Sequence, residues 1–235
     1  MQGLGIWLVS GNNVAQFLQG QLTADIHAGM QCFCYCNSKG RVCTLGWVFE
    51  QNGHWYLLLP EESADAMFTA WAPYAIFSNI TVTKAVNLGW NTADNIETSG
   101  LSWQKQSQVI YISDDNKHNG NWHEFAIQNS IPVITEQHRF MYTPHMLSAA
   151  EWSVSFTKGC YLGQEIIART QHLGKIKRKL VTFEITAPPS TSAISDINGD
   201  KVGDIIFNYK NLYQAVVSPT EQYFIAGNPL ALASL

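Results

Sequence analysis

The chain has 235 residues, 46% of them hydrophobic, 12% aromatic and 14% charged, with a net charge of −4. Its 8 Trp, 9 Tyr and 11 Phe carry too much burial drive for a disordered chain, and the longest apolar runs, such as Trp55–Leu59, fall short of the roughly 20 residues that a membrane span needs. The negative balance argues against a general polyanion-binding surface, so no direct nucleic-acid binding is expected.

Met1–Gly5 has no basic region leading into an apolar stretch, so no secretory signal is read there. The cysteines number 5, at positions 32, 34, 36, 43 and 160. That count and spacing do not make a disulfide framework, and reduced thiols in the cytoplasm are expected.

In chain order, Ile6–Val9 reads as a strand. Asn12 or Asn13 then caps a helix over Val14–Leu22, whose Val14, Phe17, Leu18 and Leu22 share one face. Gln31–Asn37 and Arg41–Glu50 alternate as two strands joined at Asn37-Ser38-Lys39-Gly40, which sets Cys34 opposite Cys43. A strand over Trp55–Leu59, a helix over Glu61–Tyr74 opened by Pro60 and a strand over Ile80–Val86 follow. Residues 87–121 are weakly patterned, with one strand at Val109–Ile112. Trp122–Asn129 reads as a short helix and 135–150 as irregular. Gln164–His172 is a helix closed by Gly174 in the left-handed manner. Beyond it, Leu180–Ile185, 201–207, 213–217 and 222–226 are short strands of a barrel or sandwich.

Two segments bear on chemistry. Cys32, Cys34 and Cys36 alternate on one strand face, where a metal-binding reading competes with simple core packing. Thiolates on a flat strand point in parallel rather than converging, so packing is favoured and no metal is expected. The second segment is Lys158-Gly159-Cys160-Tyr161-Leu162-Gly163-Gln164-Glu165. Its two glycines permit a tight path into a helix, with Lys158 as a cation and Glu165 in the first turn. Cys160 is then an exposed thiol, and the whole is a ligand-facing loop or, more simply, a capped strand–helix joint. Arg169 pairs with Glu165 one turn on, or meets a ligand. The run Lys175, Lys177, Arg178, Lys179 is a solvated face or a patch that steers an anion.

This loop, followed by Ala168-Arg169, Gly174 and Lys177-Arg178-Lys179-Leu180, closely resembles the signature of the YgfZ family. Those are folate-binding proteins related to the glycine-cleavage T protein, an aminomethyltransferase. Phe17-Leu18-Gln19-Gly20-Gln21-Leu22-Thr23-Ala24-Asp25 and the Cys36…Gly40-Arg41 turn agree with it, in the right order, so the resemblance runs from about residue 4 to 180.

The resemblance implies an α+β fold: ferredoxin-like modules forming a folate-binding body, plus a small C-terminal β-barrel. The body is placed at 1–174, with lobes of about 1–50 plus 120–174 and of 51–119, and the barrel at 175–235. It also implies a tetrahydrofolate-binding accessory protein that supports assembly or repair of iron–sulfur enzymes, tRNA-modifying ones among them. Its partners would be a folate and iron–sulfur client proteins. Trp122 falls where the family has a Trp suited to stacking on folate. Gln128 stands where relatives place a Glu for the pterin edge, offering one acceptor and one donor. Lys158, Gly159, Tyr161, Gly163, Gln164, Glu165 and Arg169 complete the expected folate set, and Cys160 is the candidate redox thiol. Two alternatives are a one-carbon transferase using Asp25, and a scaffold without folate, which Gln128 and Ser130 favour.

Overall fold

The computed structural model describes residues 3–94, 100–106 and 108–233. The first module contains β1 (Leu4–Ser10), α1 (Val14–Gln21), β2 (Gln31–Cys36), β3 (Val42–Gln51), β4 (His54–Pro60), α2 (Glu61–Ala75) and β5 (Thr81–Lys84). Its sheet is antiparallel throughout, in the order β2-β3-β4-β1-β5. Both helices cover one face. Phe17 and Leu18 of α1 and Met67 and Trp71 of α2 pack there with Val9, Phe33, Tyr35, Val48, Leu57 and Leu59. The opposite face is buried too, which is why β3 reads as a nearly unbroken apolar run rather than a clean alternation.

A second module supplies part of that cover. It contains β6 (Gly89–Asp94), β7 (Ser102–Lys105), β8 (Gln108–Ser113), β9 (His118–Asn119) and α3 (Trp122–Gln128), with sheet order β7-β8-β6-β9. Its Trp90, Ile110, Trp122 and Phe125 pack against Leu4, Ile6, Trp47 and Leu58 of the first sheet. After α4 (Ala150–Ser153) and α5 (Gln164–Leu173), six strands close a barrel: β10 (Lys179–Glu184), β11 (Ala193–Ser195), β12 (Lys201–Tyr209), β13 (Leu212–Val217), β14 (Tyr223–Ile225) and β15 (Asn228–Leu232). The barrel's Leu180, Ile206 and Val216 share a core with Cys34, Cys36, Val42 and Leu45 of the first sheet. No described helix is long and apolar enough to cross a membrane.

Several expectations need correction. The sheets do not divide the body at residue 50, because β4 and β5 pair into the first sheet and the second sheet begins at Gly89. Among its described residues, the stretch 87–121 holds four strands rather than one. The turn pairs Cys36 with Val42 and a bulge between Tyr35 and Cys36 adds a further residue of shift, so Cys34 lies opposite Leu45, not Cys43. Asn13 does precede α1, but in the left-handed conformation and without a side-chain capping bond. Gly174 ends α5 in extended backbone, its N–H donating to Thr170 O at 3.0 Å.

Four of the cysteines serve packing. Cys32, Cys34 and Cys36 lie on the face away from the helices, Cys32 with the second module and Cys34 and Cys36 with the barrel, whereas Cys43 lies among Phe33 and Tyr35 on the helix side. Burial pushes the Cys34 thiol up to about 12 and the Cys43 thiol to about 11.

Candidate functional site

Three sequence segments far apart in the chain meet at the loop that precedes α5. Leu162 N–H donates to Gly20 O at 3.0 Å, which ties the loop to the end of α1. Gly163, at φ 82°, opens α5 and presses on the 37–40 turn. Together Gly20, Gln21, Ser38 and Cys160–Glu165 line a shallow, open cavity of about 430 Å³. Cys160 is exposed at its rim. Gln164 is half-buried in the same lining, and Glu165 is exposed.

Lys158 turns away from that cavity. Its Nζ donates to the carbonyls of Gln19 (2.7 Å), Leu22 (2.8 Å) and Ala24 (2.7 Å). An ammonium has three hydrogens, so all are used, and the side chain ties the last turn of α1 to the segment that follows it. Burial pulls Lys158 down to about 8, partly countered by the nearby Asp25 carboxylate. The expected ligand-facing cation is therefore a structural clamp. Asp25 accepts from Gln19 Nε2 and from His27 N–H, and the His27 bond leads in holding it below the usual carboxylate range.

The remaining loop residues divide in the same way. Glu165 and Arg169 pair with each other at 2.8 Å, both largely exposed, so each is half-committed before any ligand arrives. Tyr161 is buried against the cysteine face, its hydroxyl without a hydrogen-bond partner. Burial raises its ionisation far above that of a free phenol. Gly159 meets no neighbour that a methyl would strike, so only Gly163 of the two glycines is required by the path.

No family model matches the chain. It is 26% identical to a tRNA-modifying protein YgfZ from Colwellia psychrerythraea, over 86% of this chain and 78% of that protein. A tRNA-modifying protein YgfZ from Klebsiella pneumoniae is 24% identical, over 83% of this chain and 73% of that one. The chain resembles the YgfZ proteins along most of its length. Among solved structures, the glycine cleavage system aminomethyltransferase T from Bartonella henselae superposes with a TM-score of 0.71 at 12% identity, covering 97% of this chain and 82% of that one. The fold is thus of the aminomethyltransferase T type, with the closed barrel at its C-terminal end.

The other residues that the YgfZ resemblance marks lie on α3, in a different core cluster from Tyr161. Trp122 is 3% exposed and meets Trp47 edge to face, with ring centroids 5.6 Å apart. It does not present an open face for stacking. Gln128 is half-buried and lines a polar cavity of about 220 Å³ with Asp94, Gln108, Asn121 and Glu124. Its Oε1 accepts from Gln108 Nε2 at 3.1 Å. The 158–169 loop and the Trp122–Gln128 helix line separate cavities with no residue in common.

Sequence reading passed over one constellation. Trp122, Trp47, Trp103 and Trp152 form a column, with successive centroids 5.6, 5.5 and 5.8 Å apart. Lys105 Nζ caps its outer end, 4.0 Å from the centre of the Trp152 ring. Burial brings Lys105 down to about 8. At the inner end, the Nε1 atoms of Trp47 and Trp122 and the Oδ1 of nearby Asn129 are buried without hydrogen-bond partners. An aromatic at 103 inside an otherwise polar stretch was the available signal.

Proposed function

We propose that the protein binds tetrahydrofolate, or a one-carbon derivative of it, and acts as an accessory to iron–sulfur enzymes, tRNA-modifying ones among them, in the cytoplasm. The observation that carries this reading is the convergence of three separated segments, 17–25, 36–41 and 158–165, on one cavity with Cys160 at its rim. Those segments hold the residues by which the chain resembles YgfZ proteins, and two of its relatives are named for tRNA modification. Cys160 is the proposed redox thiol, exposed where a client's sulfur or cluster can reach it.

The folate part rests on donor chemistry around α3. A pterin is flat and aromatic and carries both donors and acceptors along its edges. Gln108 and Gln128 offer amides to such an edge. The unpartnered Trp47 and Trp122 N–H groups lie in the adjoining core, and Asn129, whose Oδ1 is also unpartnered, donates through Nδ2 to Gln108 Oε1. These residues fit the group by chemical type, and when bound it would supply a one-carbon carrier. A second reading, a scaffold without folate, is favoured by the pairing of Gln128 with Gln108 and by the packing of Trp122.

Calorimetric titration of the reduced protein with tetrahydrofolate, beside Gln128→Ala, tests the choice. Saturable binding that the substitution weakens supports the folate reading. No heat at millimolar ligand would leave the scaffold reading in its place.

A further inference from the structure

The cavity of about 220 Å³ beside α3 has an order of donors and acceptors fixed by a single backbone carbonyl. Phe125 O can only accept, and Asn129 Nδ2 donates to it at 2.8 Å. The same nitrogen lies 2.6 Å from the Gln108 side chain, which must therefore present its Oε1 there. Gln108 is left to donate through Nε2 to Gln128 Oε1, at 3.1 Å. One carbonyl thus orients three carboxamides, and the oxygens of both glutamines are engaged within the protein. What Gln128 has left for a ligand is its Nε2, a donor.

An acceptor must then come from elsewhere in the lining. Glu124 pairs with Lys210 at 2.7 Å. Asp94 forms no ion pair among the described residues. The β6–β8 register sets Asp94 directly opposite Gln108, and opposed residues project to one face with Cβ atoms about 4.5–5.5 Å apart. The Asp94 carboxylate therefore stands beside the amide chain, in the same cavity as Gln108 and Gln128. Phe125, 2% exposed, adds an aromatic surface to that lining. The space is below the range that encloses a drug-sized ligand, so it takes one bicyclic ring and leaves the rest of a folate outside.

Resting on the tetrahydrofolate reading above, we propose that Asp94 selects the 2-amino group of the bound pterin. That group donates and an ionised carboxylate only accepts, so the bond between them is charge-assisted. Asp94 fills a place that no amide oxygen of this cavity is free to fill. A ring carrying hydrogen in place of the amino group offers Asp94 nothing. The carboxylate is exposed, so water competes for it, and the preference for the amino group amounts to about tenfold in affinity.

The test is a two-by-two comparison by calorimetry at pH 7. The full chain and its Asp94→Ala variant are each titrated with tetrahydrofolate and with the 2-desamino analogue of tetrahydrofolate. Asp94 lies at the exposed end of its strand, so the variant keeps its fold. The parent should bind tetrahydrofolate about tenfold more tightly than the analogue, and Asp94→Ala should bind the two within about twofold. Asp94→Asn, whose carboxamide can still accept one hydrogen bond, should keep part of the preference. A lost carboxylate that merely disturbed the cavity would weaken both ligands alike and leave their ratio unchanged. An unchanged ratio therefore overturns the role of Asp94 while the folate reading stands, because tetrahydrofolate still binds. A parent that binds both ligands equally overturns it in the same way. No binding of tetrahydrofolate to the parent overturns the folate reading, and the role of Asp94 with it.

Discussion

Gly40 and Gly163 face each other where the 37–40 turn meets the start of α5. A Cβ on Gly163 would fall 2.5 Å from Asn37 O and 2.9 Å from Gly40 Cα. A Cβ on Gly40 would meet Gly163 O at 3.3 Å and Ile167 Cγ1 at 3.0 Å. Both sit at positive φ, 64° and 82°. Two glycines in unrelated stretches of sequence therefore serve one backbone contact, and that contact holds the Cys160 loop against the first sheet.

Gly163→Ala is expected to destabilise the fold by about 2–4 kcal/mol, because left-handed strain adds to a collision with backbone that cannot swing aside. Gly159→Ala should change stability by no more than about 0.5 kcal/mol, since a methyl there meets nothing. Urea unfolding of the two variants beside the parent checks both. A Gly159 effect as large as that of Gly163 would mean the loop is held in some other way.

The thiols make a second prediction. Cys160 is exposed and the other four are buried. A thiol reagent such as dithionitrobenzoate should titrate about one thiol per folded chain and about five in urea, since access limits the buried groups. Cys160→Ser should abolish the fast phase. A second fast thiol would show that β2 or β3 opens in the native state.

Much of this arrangement was legible from residue pattern. Phe17, Leu18 and Leu22 share the expected helix face, and the alternation of 31–50 marked a hairpin whose cysteines fill a buried surface. The register was not legible, because a bulge at Tyr35/Cys36 leaves no trace in hydrophobic order. The second sheet escaped for another reason. β7 and β9 are short, largely polar edge strands, whose partners rather than their own residues define them. Motif positions also misled about direction. The sequence shows that a lysine stands at 158, but only the fold shows that it points to the end of α1.

Lys105 provides a pH test. Its folded value is near 8, below the ~10.4 of an unfolded lysine. Between those values the unfolded chain holds the proton and the folded one has released it, so stability rises with pH there. Lys158 is shifted the same way and contributes a parallel rise. The buried thiols, raised by burial, act in the opposite sense above about 8.5, so the lysine is read as a difference between two proteins. On going from pH 7.5 to pH 9.5, the urea midpoint of Lys105→Met should change less favourably than that of the parent. Equal changes in the two would place the Lys105 ammonium in water rather than against Trp152.

The sharpest probe of the candidate folate region is Gln128→Glu. Trp122→Ala is a poor one: removing a side chain packed on Trp47 costs about 3–5 kcal/mol of fold stability, whatever it does to a ligand. Gln128 is half-buried, and its Oε1 already acts as an acceptor toward Gln108, so a carboxylate keeps that bond. The second carboxylate oxygen replaces a donor with an acceptor, and a pterin edge presents two adjacent donors, N3–H and the 2-amino group. If Gln128 lies on that edge, tetrahydrofolate affinity should rise about tenfold or more, the scale of one charge-assisted hydrogen bond. Calorimetry at pH 7 reads this directly. Unchanged affinity beside intact folding would remove Gln128 from the pterin edge, and the search for the ligand would move to the outer end of the tryptophan column, at Trp152 and Lys105.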